Sequence, residues 1–197
     1  MLSTFPRLML DHATARPDAA ALREKSYGIW QTTTWAQLAV LVRQLTCGFA
    51  EAGMKRDDHV VVVGDNRPRL YASMLAVQAL GAVPIPLYQD AASTECVFPI
   101  NNAGVAYAVV ENQEQVDKLL EIRPQCAQLA HIWYDDPRGL RKYDEPGLVP
   151  LDMLVETGAA RAQRDAGFFD AEVAKARPQD VAAMFFTSGT TGHPKGV

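Results

Sequence analysis

Residues 59–64 read His-Val-Val-Val-Val-Gly, four valines with no polar residue between them. A strand with one wet face alternates apolar and polar side chains, so an unbroken apolar run of this length has to be covered on both faces. β-Branched valines also favour a strand over a helical turn. The chain must therefore supply amphipathic cover for two sides of a sheet, and its flanking segments have that form. Thr34 opens a helical pattern with Gln37 three residues later, the spacing of a capping box. Leu38, Leu41, Val42, Leu45 and Phe49 then fall on one helical face, and Gly53 stands where a left-handed closing residue is expected. Downstream the same grammar repeats. NRPRLYASMLAVQALG, STECVFPINNAG and QEQVDKLLEI read as helices, the second weakened by Pro99, while AVPIPL, AYAVV and HIWY read as strands. This alternation predicts an α/β fold: a mostly parallel sheet with helices on both faces.

The remaining segments fit around that frame. A helix is expected from Phe5 to Ala15, stopping before Pro17. Ala20–Glu24 and Ile29–Thr33 read as a small amino-terminal hairpin turning at Tyr27-Gly28. Residues 135–150 are polar and turn-rich and are expected to be a loop. Helices follow at Leu151–Arg161 and Phe168–Ala176, and DVAAMFFT (180–187) reads as a buried strand. Pro84 and Pro86 lie two apart, so both missing N–H groups face the same side of their strand, which should be fully paired on one side at most or start pairing only after Pro86.

Composition narrows the function. A chain of 197 residues with 48% apolar and 21% charged residues suits a globular domain. Its net charge of −4, with no Lys/Arg run, argues against a nucleic-acid surface. Arg138, Arg141 and Lys142 are interspersed with Asp135, Asp136, Asp144 and Glu145 and read as a solvated loop. Cys47, Cys96 and Cys126 show no metal-ligand spacing and suit reduced thiols in a cytoplasmic protein. No metal site is expected from the scattered histidines. No signal peptide is evident, and the most apolar window, Tyr71–Leu87, is too short and too punctuated to cross a bilayer.

The densest chemistry lies at residues 187–196, Thr-Ser-Gly-Thr-Thr-Gly-His-Pro-Lys-Gly. Phosphate oxygens need closely spaced donors and a cation. Glycines let backbone N–H groups converge, hydroxyls add short donors, and lysine adds a mobile charge. The composition points to a polyphosphate-gripping loop, with a ligand-free polar turn as the bland alternative. It is not a Walker A loop: counting from Gly189, Pro194 stands where the second glycine should be, and Gly196 replaces the hydroxyl residue after Lys195.

TSGTTGHPKGV closely resembles the signature loop of adenylate-forming enzymes, the acyl-CoA synthetases, luciferases and non-ribosomal adenylation domains. YGIWQTTTWAQL, GDNRPRLYASMLAVQALGAVPIPLYQD, VVENQEQVDKLLEI and YDDPRGL resemble the amino-terminal region of long-chain fatty acid–CoA ligases, so the likeness covers nearly the whole chain. It implies that residues 1–197 are the amino-terminal portion of an AMP-binding domain. It also implies an enzyme that uses ATP and Mg²⁺ to turn a fatty acid into acyl-AMP and then passes the acyl group to CoA. Thr187, Ser188, Thr190 and Thr191 would supply hydroxyls to the ATP phosphates, Gly189 and Gly192 backbone N–H groups, and Lys195 charge. His193 occupies a variable position and reads as a surface residue, with a phosphate contact as the less favoured alternative.

In that family the adenine, ribose and Mg²⁺ contacts, the acyl tunnel and the catalytic lysine come later in sequence. The resemblance therefore implies the first part of a larger enzyme, with no catalytic residue of its own. Three charge-assisted hydrogen bonds of about 1.5–3 kcal/mol each, set against at least about 4 kcal/mol of lost freedom, leave ATP binding at about millimolar or weaker. Another adenylating enzyme, for amino or aryl acids, and a non-catalytic module on the same scaffold stay open as alternatives. The resemblance also implies a cytoplasmic protein and leaves peripheral membrane contact and a homodimer open.

Overall fold

The computed structural model describes residues 3–187 and 194–197. A parallel sheet is built from β3 (His59–Val63), β4 (Val83–Leu87), β5 (Tyr107–Val110), β6 (His131–Tyr134) and β7 (Leu148–Pro150), in the spatial order β4-β3-β5-β6-β7. The four valines divide between two cores. Val60 and Val62 join Val109 and Trp133 on one face, and Val61 and Val63 join Ile85, Ala108, Val110 and Ile132 on the other. None of the four valines is more than 4% exposed, which is why the run carries no polar residue.

The first face is covered by α1 (Phe5–Ala15), α2 (Trp35–Glu51), α3 (Pro68–Ala79), α6 (Leu151–Arg164) and α7 (Phe168–Lys175). The second is covered by α4 (Ser93–Asn102) and α5 (Gln113–Ile122). The expected α/β architecture is present, with the expected hairpin, β1 (Ala20–Ser26) and β2 (Ile29–Thr34), beside it.

Local chemistry sets the helix ends. Thr34 Oγ1 accepts the Gln37 N–H at 3.3 Å, and Gln37 Oε1 accepts the Thr34 N–H at 2.9 Å. At the far end of α2, Gly53 takes φ +95°. Its N–H reaches Ala50 O at 3.1 Å, and the Met54 N–H reaches Phe49 O at 3.0 Å. The same double closure, through Gly81 and Gly104, ends α3 and α4 and turns the chain into the next strand.

Helices α2 and α6 meet backbone to backbone. A Cβ on Gly158 would run into the Gln44 carbonyl oxygen, and one on Gly48 would run into the Leu154 carbonyl oxygen. These two glycines permit a close backbone approach of α2 and α6, through side-chain absence rather than chain flexibility.

The paired prolines act as expected. β4 is an edge strand bonded to β3, toward which the Val83 N–H reaches Asp58 O at 2.8 Å. The prolines face the open side, where Pro84 O accepts the Met184 N–H at 3.1 Å.

Three expectations need correction. Residues 135–150 are not all loop: Leu148–Pro150 forms β7, paired with Ile132–Tyr134. Three residues are too few to display a period, and this strand exists because β6 offers an open edge. Residues 180–187 are not a buried strand. Only Phe186–Thr187 is a strand (β8), and Val181 and Phe185 are 58% and 52% exposed. The neighbouring edge of β4 has lost two N–H donors to proline, so no ladder can form there. Finally, Asp135 does not belong to a solvated charge cluster; its side chain is 16% exposed and paired with Arg69 at 3.0 Å.

Candidate functional site

Open parallel sheets present ligand crevices at the carboxyl ends of their strands, where the strand order reverses. Here that point lies between β3 and β5. It is filled by the protein itself. Glu111, 6% exposed and directly after β5, accepts the Asp65 N–H at 2.6 Å and Arg67 Nε at 2.8 Å. Arg67 also reaches Glu24 of the hairpin at 3.7 Å. Gly64 leaves the space that Glu111 and Leu70 occupy, since a Cβ there would collide with both. Beside this pair, Arg69 bridges Asp135 and Asp152, at 3.0 and 2.7 Å. Burial pushes the Asp135 carboxyl above its usual range, with Arg69 opposing the shift. Glu24, Glu111, Asp135 and Asp152 each lie against a guanidinium, so the crevice is occupied by a structural ion-pair network. No motif in the sequence signals it beyond an acidic residue following an apolar strand run.

The other candidate is the loop after β8. Phe186–Thr187 pairs antiparallel with β9 (Lys195–Gly196), Thr187 opposite Lys195 and Phe186 opposite Gly196. Phe185 and Val197 continue the pairing with reciprocal N–H···O bonds of 2.8 Å. Alternation along this short ribbon separates its faces. Phe186 turns inward, packing edge-on against Phe98 of α4 with ring centroids 6.3 Å apart. Thr187 and Lys195 lie on the outer face and are exposed. The hairpin thus holds a hydroxyl and an ammonium side by side at the base of the loop, the two donor types that phosphate oxygens need.

The segment leading to the hairpin is clasped to the body. Asp180 accepts the Arg177 N–H at 2.9 Å, Arg177 Nε at 3.0 Å and Arg56 Nη1 at 2.9 Å. Led by the backbone N–H of Arg177, these bonds hold its carboxyl down at about 2. Gln78 Nε2 donates to Ala182 O at 2.6 Å, and Met184 is bonded to the edge of β4. From Ala182 to Met184 the chain therefore follows the direction of β4, carrying Thr187 toward the sheet's carboxyl edge.

Of the expected site residues, the structure brings Thr187 and Lys195 together. Ser188, Gly189, Thr190, Thr191 and Gly192, with neighbouring His193, lie outside the described residues. Asp180, Arg56 and Phe98, which anchor the hairpin, were not singled out from the sequence, because their partners are far away along the chain. Among the described residues no three His, Cys, Asp or Glu side chains are grouped to hold a metal ion, and no helix is long and apolar enough to cross a membrane.

Similarity to known proteins extends along nearly the whole chain. The family model described as "AMP-binding enzyme" matches residues 10–197. The chain is 26% identical over 181 residues to the bovine long-chain-fatty-acid–CoA ligase ACSBG1, covering 91% of this chain and 24% of the relative. It is 25% identical over 189 residues to the long-chain-fatty-acid–CoA ligase FadD15 of Mycobacterium bovis, covering 96% of this chain and 30% of the relative. Among solved structures, the acetoacetyl-CoA synthetase from Streptomyces lividans superposes with a TM-score of 0.76 at 19% identity, over 98% of this chain and 30% of that one. The chain thus spans about a quarter to a third of the length of the proteins it matches.

Proposed function

The chain belongs to the AMP-binding enzyme family, and from that premise we propose that it supplies the ATP-phosphate grip of a long-chain fatty acid–CoA ligase. The fatty-acid reading is favoured by the ligases that match over nine-tenths or more of this chain. In the proposed reaction a fatty-acid carboxylate oxygen attacks the α-phosphorus of ATP, and pyrophosphate leaves. The CoA thiol then attacks the acyl carbonyl, expelling AMP and leaving a thioester.

The role of this chain is to hold the β- and γ-phosphates. The observation that carries it is the exposed pairing of Thr187 with Lys195 across β8 and β9. Thr187 would donate its hydroxyl and Lys195 its ammonium as negative charge collects on the departing pyrophosphate. Ser188, Gly189, Thr190, Thr191 and Gly192 would complete the ring of donors. A hairpin stem fixes the spacing of the two flanking donors before ATP arrives, so less ordering is needed on binding. Mg²⁺ would neutralise phosphate charge; among the described residues no three His, Cys, Asp or Glu side chains are grouped to hold it.

The test is carboxylate-dependent exchange of labelled pyrophosphate into ATP, using the protein that carries this chain and a panel of short, medium and long fatty acids, aryl acids and amino acids. Exchange that is strongest with long-chain acids and is lost on Lys195→Ala is expected. Exchange driven by amino or aryl acids would replace the fatty-acid reading with another adenylation. Exchange indifferent to Lys195 would remove the phosphate role.

A further inference from the structure

The hairpin of β1 and β2 carries a surface that neither the core nor the loop uses. Its register pairs Lys25 with Trp30 and Arg23 with Thr32, placing these four side chains on one face, all exposed. Toward its base the opposite face is committed, with Leu22 packing on the first core and Glu24 reaching Arg67, while Ile29 on that face, opposite Ser26, is free at the tip. At the tip, Tyr27 and Gly28 both take positive φ, +49° and +79°, making a tight turn that leaves Tyr27 90%, Ile29 64% and Trp30 65% exposed. Among the described residues, Arg23 and Lys25 have neither a hydrogen bond nor an ion pair, whereas arginines such as Arg43, Arg56, Arg67, Arg69, Arg161 and Arg164 are all paired. The hairpin's own acid, Glu24, is turned inward, so a chain of net charge −4 presents a locally cationic aromatic face.

We propose that this hairpin tip docks on an anionic lipid bilayer, with Tyr27, Ile29 and Trp30 entering the headgroup–acyl boundary and Arg23 and Lys25 meeting the negative headgroups. Indole and phenol rings have an apolar body and a polar tip, which matches the interfacial zone of a bilayer. Basic residues beside such rings add attraction that decays within a Debye length. The shape of the site favours lipid over a macromolecular partner. The tight turn at Tyr27-Gly28 presents exposed rings that a deformable bilayer accepts, and Arg23 and Lys25 complement its negative headgroups. The inference stands on the hairpin alone and survives or fails independently of the ligase reading.

The experiment is co-sedimentation with vesicles of phosphatidylcholine alone or mixed with phosphatidylglycerol, at low and high salt. Binding to the mixed vesicles that weakens with salt is expected. The double variants Arg23→Glu/Lys25→Glu and Tyr27→Asn/Trp30→Ser should each weaken it by about tenfold or more, while thermal melts confirm that both fold. Brominated phosphatidylcholine in the mixed vesicles should quench tryptophan emission in the wild-type protein and much less in Trp30→Phe, since Trp133 is only 3% exposed and Trp35 is half-buried, packed on the first core beside His12. Wild-type protein left in the supernatant overturns the proposal, as does binding unchanged in both variants. Self-association or oligonucleotide binding that depends on these residues, without vesicle binding, would overturn it in favour of a protein or nucleic-acid surface.

Discussion

Thr187 and Lys195 face each other across β8 and β9 on the exposed side of the ribbon, while Phe186, between Phe185 and Thr187, anchors the same ribbon to Phe98. One residue step thus separates the group that holds the loop from the group that would contact a ligand.

That relationship predicts the consequences of removing each group. Lys195→Ala should weaken pyrophosphate binding by about tenfold and Thr187→Val by about threefold, the scale of losing a cationic and an uncharged donor to an anion at a solvated site. Titration followed by ³¹P line shifts would measure both. Lys142→Ala, in the distant 135–150 stretch, is the control. An equal effect there would reduce the lysine's role to general charge.

The clasp under the hairpin predicts a pH dependence. Asp180 is held at about 2 against an ordinary value of 3.8, chiefly by the Arg177 N–H, with the Arg56 and Arg177 side chains adding to it. A carboxyl lowered in the folded state stabilises fully above its unfolded value, and the contribution fades as pH falls through the folded value. The window is therefore from about pH 4 down to about pH 2. With the side chain 15% exposed, solvent screening leaves about 1–2 kcal/mol. Asp180→Asn should lower the Tm by several degrees at pH 7, and the difference from wild type should shrink across the acid window in pH-resolved thermal melts. A difference that stays constant down to pH 2 would show that the clasp does not depend on the carboxylate's charge.

The crossing of α2 and α6 predicts a large effect from one methyl group. Gly158→Ala places a Cβ against the Gln44 carbonyl oxygen and the backbone nitrogen of Gly48, where neither neighbour can rotate away. The helices must separate, at a cost of roughly 2–4 kcal/mol. Denaturant unfolding should show a lower midpoint. Gly28→Ala is the comparison: its Cβ would meet nothing within 4 Å, so its cost comes only from the turn's positive φ of +79°. A Gly158→Ala protein as stable as wild type would show that the helices do not meet as closely as described.

Much of the fold is legible because its signals are local. Four consecutive valines demand cover on two faces whatever the rest of the chain does. Thr34 and Gln37 satisfy each other's backbone groups within one turn, and Gly53, Gly81 and Gly104 close their helices through bonds spanning six residues. The loop is legible for a related reason: hydroxyls, glycines and a lysine within ten positions need no fold to suggest phosphate. β7 is not legible, because its pairing is determined by an edge that β6 leaves open. Apolar residues 181–187 mislead, since their burial depends on what Pro84 and Pro86 remove from a strand a hundred residues earlier.

By itself the sequence determined the order of helices and strands, the two-sided core and the kind of ligand its Gly/Thr loop suits. All three follow from side-chain pattern and hydrogen bonding among near neighbours. Only the tertiary structure decided that the usual crevice between β3 and β5 is closed by Arg67 and Glu111 and that Asp180 ties the hairpin to the body. It also decided that Arg23 and Lys25 have no partner among the described residues. Charge compensation and edge pairing join groups tens to more than a hundred residues apart, and only the folded chain brings such groups within the few ångströms over which they act.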